Sequence, residues 1–191
     1  MNMKHLIAAF IAAAAATAAI AAPDTYSIEP NHTYPSFEAD HMGISVWRGK
    51  FTKTSGTVVL DRAAKTGTLD ITIDANSLDF GHEKMNGHAK GADMFDVAKF
   101  PTVTYKSTSI TFNGDTPATV NGELTLHGVT KPVVLTINKF KCIQHPMFKR
   151  EACGADASAT FNRADFGIDY AVKMGFNPVV KLAIQVEAIK Q

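Results

Sequence analysis

At 191 residues and 46% hydrophobic content, the chain carries enough apolar side chains for one domain with a full core. Its 19 Lys and Arg against 18 Asp and Glu leave a formal net charge of +1, and the densest basic run, Lys149-Arg150, is followed at once by Glu151. Charge this balanced and scattered gives no footprint for nucleic acid or for an anionic bilayer.

Residues 1–22 open with Lys4 in a short charged start and continue as an Ala-rich apolar run from Leu6 to Ile20. That run is shorter than the ~20 residues a membrane-spanning helix needs, and it ends in Ala19-Ile20-Ala21 ahead of Ala22-Pro23, a small-residue cleavage pattern. Residues 1–21 are therefore predicted to be a cleaved export signal, with 22–191 as the mature domain. Loss of Lys4 takes the 19 basic residues to 18, equal to the 18 acidic ones.

Apolar and polar residues alternate over 25–29, 36–42 and 49–60, and each segment is predicted to be a strand. The next runs from 68 to 74, where Leu69, Ile71 and Ile73 alternate with Thr68, Asp70, Thr72 and Asp74. Residues 81–95 form the one stretch predicted helical at any length, with His82, Met85, Ala89, Ala92 and Phe95 on one stripe. Gly87 and Gly91 each weaken an isolated helix by about 1 kcal/mol, so the segment must lean on a sheet, and it is the candidate for a movable lid. Strands resume at 102–112, 118–126, 132–141 and 154–161, with turns marked by Asp61-Arg62, Asn113-Gly114-Asp115 and His127-Gly128.

Cys142 and Cys153 fall in the one connection that looks too long for a tight turn. Export places them in an oxidising compartment, so a disulfide is predicted, contributing roughly 3 kcal/mol in the chain-entropy picture. Their spacing is wrong for a Cys-x-x-Cys redox centre. A short helical turn is expected over 163–169, and the last strand covers 180–188, where Val180, Leu182, Ile184, Val186 and Ala188 alternate with Lys181, Gln185 and Glu187. Many antiparallel strands, one helical interruption and no βαβ rhythm leave a sandwich or a barrel. Patterning does not choose between them.

Three motifs in chain order carry a resemblance: Phe100-Pro-Thr-Val-Thr-Tyr-Lys-Ser107, Gly122-Glu-Leu-Thr-Leu-His-Gly-Val-Thr-Lys-Pro-Val133 and Asn162-Arg-Ala-Asp-Phe-Gly-Ile168. With His32 and Phe37, the His41-Met-Gly-Ile-Ser45 and Gly49-Lys-Phe51 block, and Ser77 ahead of the helical stretch, the chain resembles the YceI family of periplasmic polyisoprenoid-binding proteins. The resemblance extends from Tyr26 to Ala188. It implies an all-β fold, an extended lipocalin-like eight-stranded antiparallel barrel with a short helical segment near the mouth. It also implies a periplasmic binding or carrier role for an isoprenoid lipid, a polyprenyl chain or long-tailed quinone, with a link to stress and no enzymatic activity. Many members read His-Leu-x-Ser-x-x-Phe-Phe where this chain has His88-Ala-Lys-Gly-Ala-Asp-Met94-Phe95. Ala89 and Met94 would reshape that wall of the cavity and make it more adaptable.

In such a barrel Leu69, Ile71, Leu124, Leu126, Phe161, Leu182 and Ile184 are expected to contact the lipid, together with Phe37, Phe51, Phe166, Met85, Met94 and Phe95. His41 shares a face with Phe37 and Ala39, so its ring should point where the hydrocarbon lies and find a partner in a head group or a backbone carbonyl. Arg163 is expected to fix the Phe166-Gly167 turn through an ion pair, with a head-group contact as the alternative. Beyond His5 the histidines are His32, His41, His82, His88, His127 and His145, and their spacing does not make a His-Glu-x-x-His metal site. His127 belongs to a turn. No Gly-x-Ser-x-Gly elbow, phosphate loop or dinucleotide fingerprint occurs, so no catalytic or metal residues and no cofactor are expected. Two rivals stay open: a fatty acid or fatty amide binding module, and a metal-dependent hydrolase using His41, His82 and His88. Expected partners are an isoprenoid lipid or quinone, with no nucleic acid and no stable membrane insertion; a homodimer is left open.

Overall fold

The structure, a computed structural model, describes residues 22–191. The predicted signal at 1–21 lies outside the described residues. Pro30 cannot donate to a neighbouring strand, and the chain turns there between β1 (Asp24–Ile28) and β2 (Tyr34–His41). Thr33 bridges the break: its hydroxyl donates to the Glu187 carbonyl and accepts from the Glu187 N–H, each at 3.1 Å.

The single strand expected at 49–60 is two, β3 (Ser45–Phe51) and β4 (Thr54–Asp61). Ser77 explains the bend at Thr52 and Lys53. Its Oγ accepts from their backbone N–H groups at 3.1 and 3.0 Å and donates to the Asp74 carbonyl at 2.7 Å. The remaining elements are β5 (Thr66–Asp74), β6 (Leu78–Asp79), α1 (Glu83–Lys90), β7 (Thr102–Asn113), β8 (Thr116–Leu126), β9 (Val129–Gln144), β10 (Glu151–Asn162) and β11 (Val179–Lys190).

All the pairings are antiparallel, and the order β1-β4-β5-β7-β8-β9-β10-β11 closes on itself because β11 also pairs with β1. The result is a closed eight-stranded antiparallel barrel. One edge of its last strand pairs with β10 throughout, and the other serves two neighbours: the β11 C-terminal end pairs with β1 from Ile28↔Ala188 to Tyr26↔Lys190, and its N-terminal half pairs with β2 from Val180↔Ala39 to Gln185↔Tyr34. β2, β3 and β6 thus raise one side of the wall beyond the closed ring, toward an end called here the mouth. Outward faces are polar, with Lys106 paired to Asp70 at 3.1 Å as one example. Inward faces form two apolar clusters: a small one at the base around Tyr26, Ile28, Leu60 and Ala188, and a larger one filling the wall up to the mouth.

The helix is shorter than the 81–95 predicted. His82 caps it, its Nδ1 accepting from the Met85 N–H at 3.2 Å, and Gly91 ends it in an extended conformation. The chain then doubles back, with the Phe95 N–H donating to the Ala89 carbonyl at 2.9 Å. Met85 and Ala89 face the barrel as expected, whereas Ala92 is exposed and Phe95 reaches the interior through this turn, off the expected stripe. The cysteines also sit differently from expectation. They lie on paired strands, directly opposite each other in the β9–β10 register, and form the Cys142–Cys153 disulfide. Both strands run further than the alternation suggested, leaving only 145–150 as the connection.

Candidate functional site

Every strand of the ring contributes side chains to one internal cavity of about 470 Å³, within the ~300–1,000 Å³ common for small-molecule sites. It runs from Tyr26, Leu60 and Ala188 at the base, past Leu69, Ile71, Leu124, Leu135 and Ile184, to Phe37, Phe51 and Phe95 near the mouth. Of the residues expected to contact a guest, all but Phe166 line it. Phe166 is buried in the wall, with its ring packed edge-on against Phe161 at 5.3 Å.

The mid-cavity polar group is Tyr105, whose hydroxyl lies 3.0 and 2.9 Å from the carbonyls of Val120 and Val133. Burial pushes its phenol up to about 12, so it stays neutral at any physiological pH. Tyr105 lies flat across Gly122, where a Cβ would come within 2.5 Å of its ring. The glycine that opens the Gly122–Val133 motif is therefore a seat for an aromatic ring.

The other motifs behind the resemblance also build framework. His127 and Gly128 both have positive φ, +52° and +74°, and make the tight β8–β9 turn. Phe100 packs over that turn, its ring 4.5 Å from the His127 ring. The Nδ1 of His127 lies 3.1 Å from the Phe166 carbonyl. Asn162 caps the following turn by accepting from the Ala164 N–H at 2.9 Å. Arg163 fixes the same turn by donating to the carbonyls of Ile168 at 2.6 Å and Tyr170 at 2.9 Å. The expected ion pair is absent among the described residues, because two strongly dipolar carbonyls satisfy the guanidinium. Burial holds the Arg163 guanidinium below its usual range, with Asp169 opposing the shift.

Around the mouth stands an aromatic collar. Phe37 meets Phe80 edge-on at 5.5 Å and Phe51 at 5.9 Å. His41 meets Phe176 at 5.3 Å and Trp47 at 6.1 Å. His88 of α1 meets Tyr170 of the β10–β11 connection edge-on at 4.9 Å, joining the helix to that connection. Asp40, His41, Trp47, His88 and Arg163 all border the cavity here, so its charged and imidazole side chains gather at this end.

Reading the sequence missed Trp47, Phe80 and Phe176. Trp47 was findable, since pairing Ala39 with Trp47 across the β2–β3 hairpin puts it on the His41 face. Phe176 sits in a connection with no periodicity and left no signal. Among the described residues the one cluster with metal-ligand side chains in reach of each other is Cys142, Glu151 and Cys153. There the sulfurs are joined in the disulfide, and the carboxylate accepts from Tyr26 and Arg62.

Residues 26–188 match the YceI-like domain. The chain belongs to the YceI-like family. A UPF0312 protein of Pseudomonas aeruginosa is 34% identical over 197 residues that span the whole of both chains. The YCEI protein of Campylobacter jejuni superposes with a TM-score of 0.66 at 23% identity, covering 80% of this chain and 90% of that one. A polyisoprenoid binding domain from Saccharophagus degradans, implicated in plant cell wall breakdown, superposes at 0.60 with 14% identity, covering 87% and 98%. These structural likenesses establish the YceI-like barrel. No helix among the described residues is long and apolar enough to cross a membrane.

Proposed function

We propose that this YceI-like protein is a lipid-binding carrier that shelters an isoprenoid tail in its barrel and holds the head group at the aromatic mouth. The observation that carries the proposal is the segregation within the cavity: its body from base to collar is lined mainly by apolar side chains, with the hydroxyls of Tyr26, Thr33, Thr54 and Tyr105 among them, whereas Asp40, His41, His88 and Arg163 gather at the opening. Burying one isoprene unit is worth a few kcal/mol at about 25 cal/mol per Å² of apolar area, so a few units outweigh the cost of ordering the tail. The polyisoprenoid-binding neighbour from Saccharophagus degradans supports an isoprenoid over other apolar guests.

Contacts to the guest come from Phe37, Phe51, Leu69, Ile71, Leu124, Leu126, Phe161, Leu182 and Ile184 along the tube, with Met85, Met94 and Phe95 beneath the helix. His41, Trp47 and Phe176 meet one another through His41 at the opening, and the head group, such as that of a long-tailed quinone, is placed against them. The action is binding, without bond-making. The Cys142–Cys153 disulfide supports an oxidising compartment, and the periplasm is the location proposed.

Native mass spectrometry of protein purified from its own periplasm tests this, followed by extraction and weighing of the bound lipid. A polyprenyl or prenylquinone mass is expected, and it should vanish in Ile184→Trp, which fills the tube while leaving the outer face intact. A fatty acid or fatty amide mass would replace the isoprenoid, and a chain that never retains lipid would overturn the carrier reading.

A further inference from the structure

Beside the collar, two chain tips expose large apolar side chains to water. The β2–β3 turn presents Met42 and Ile44 at 53% and 80% exposure, and the β10–β11 connection presents Met174 at 69%. The tips are neighbours, because Ala39 pairs with Val180 and the rings of His41 and Phe176 touch behind them. Residues 42–47 carry no charge, and residues 170–180 carry one, the cation Lys173. Side chains this apolar and this exposed, grouped at an opening, mark a contact surface.

We propose that these tips are a membrane-docking rim that seats the open end of the barrel on a bilayer, with Ile44, Met42 and Met174 entering the acyl boundary and Lys173 reaching lipid phosphates. The inference rests on the lipid-carrier reading, since an isoprenoid tail is too insoluble to travel through water to the cavity. Three features favour a lipid surface over a protein partner. The tips adjoin each other beside the opening, so one surface meets both at once. Lys173, next to Met174, offers phosphate a cation on a long stem that can lie along apolar surface, while the nearby anion, Asp40, is turned back onto the Gly43 N–H at 2.9 Å. Trp47 and Tyr170 stand just behind them, the residue types that settle at the membrane–water boundary. A second copy covering the same patch would close the mouth that the cavity needs open.

Vesicles of phosphatidylethanolamine and phosphatidylglycerol, co-sedimented with the mature chain, test the rim. The unmodified protein is expected to bind, the double variant Ile44→Asp, Met174→Asp to lose at least about tenfold in vesicle affinity, and Lys173→Glu to lose about fivefold. Met147→Asp, an exposed apolar site on the β9–β10 turn at the other end, should bind as the unmodified protein does. The inference is overturned if the unmodified protein ignores vesicles, if the double variant binds equally well, or if sedimentation velocity shows that the double variant splits a dimer. Retained lipid, weighed separately in each variant, reports on the carrier reading alone: the rim variants should keep their lipid and lose only the membrane.

Discussion

At the base of the barrel charged and polar side chains are spent on one another, whereas at the mouth several of them border the cavity. The Tyr26 hydroxyl and the Arg62 guanidinium both donate to Glu151, Lys190 meets Asp24 at 2.6 Å, and the Gln191 N–H donates to the Thr25 carbonyl at 2.8 Å. The disulfide ties β9 to β10 close by. Burial raises the Tyr26 phenol, so it remains a donor. The mouth is held more locally: Arg163 ties its own turn and Arg48 pairs with Glu38 on the β2–β3 hairpin, while aromatic edges, a two-turn helix and a connection with left-handed residues at Gly167, Ala171 and Gly175 close it. One end therefore supplies stability and the other supplies access, a division that suits a container filled from one side.

If that division holds, cuts at the base should change melting and leave exchange alone, and cuts at the mouth should do the reverse. The largest effect is expected from Cys142→Ser with Cys153→Ser: roughly 3 kcal/mol lost, a fall in Tm of about 6–12 °C by calorimetry, and lipid content unchanged. Glu151→Gln comes next. Burial pushes the Glu151 carboxyl up, but hydrogen bonds from Tyr26 and Arg62 outweigh it and hold the group below its ordinary value of 4.5. The ionised form thus stabilises the fold; that contribution is complete above 4.5 and drains as pH falls through the lower folded value. Glu151→Gln should cost about 1 kcal/mol at neutral pH, allowing for solvent screening. The gap in Tm to the unmodified protein should then close in acid; a gap independent of pH would break the assignment.

Mouth variants should move exchange. Gly87 has open space where a Cβ would go, so Gly87→Ala strengthens α1 by up to about 1 kcal/mol and slows lipid exchange by as much as fivefold. Equal exchange rates in the two proteins would remove the helix as a lid. Smallest, His88→Ala deletes the contact to Tyr170 and should speed exchange roughly threefold, with Tm nearly unchanged. A large loss of Tm in either variant would show that the mouth carries stability too.

Much of the wall was legible because a strand with one wet and one dry face writes its period into the sequence. Leu69, Ile71, Ile73, Leu182 and Ile184 all point inward as their alternation requires. The bend at Thr52 and Lys53 was not legible, since it depends on Ser77 arriving from a segment 25 residues away. The predicted helix runs too far because Ala92 and Phe95 continue an apolar spacing that Gly91 interrupts. Phe166 was misplaced for a related reason: an apolar residue in a buried turn looks the same in sequence whether it faces a cavity or the wall behind it.

The residues alone determined which strand faces are apolar, the turns marked by Asp61-Arg62, Asn113-Gly114-Asp115 and His127-Gly128 and, through motifs, which family the chain joins, because these follow from local period and turn chemistry. Tertiary structure decided that the sheet closes, which end is sealed, and where His41, Trp47 and Phe176 converge. Closure depends on β11 pairing back to β1, and the site depends on loops far apart in the chain meeting at one rim, neither of which leaves a local periodicity to read.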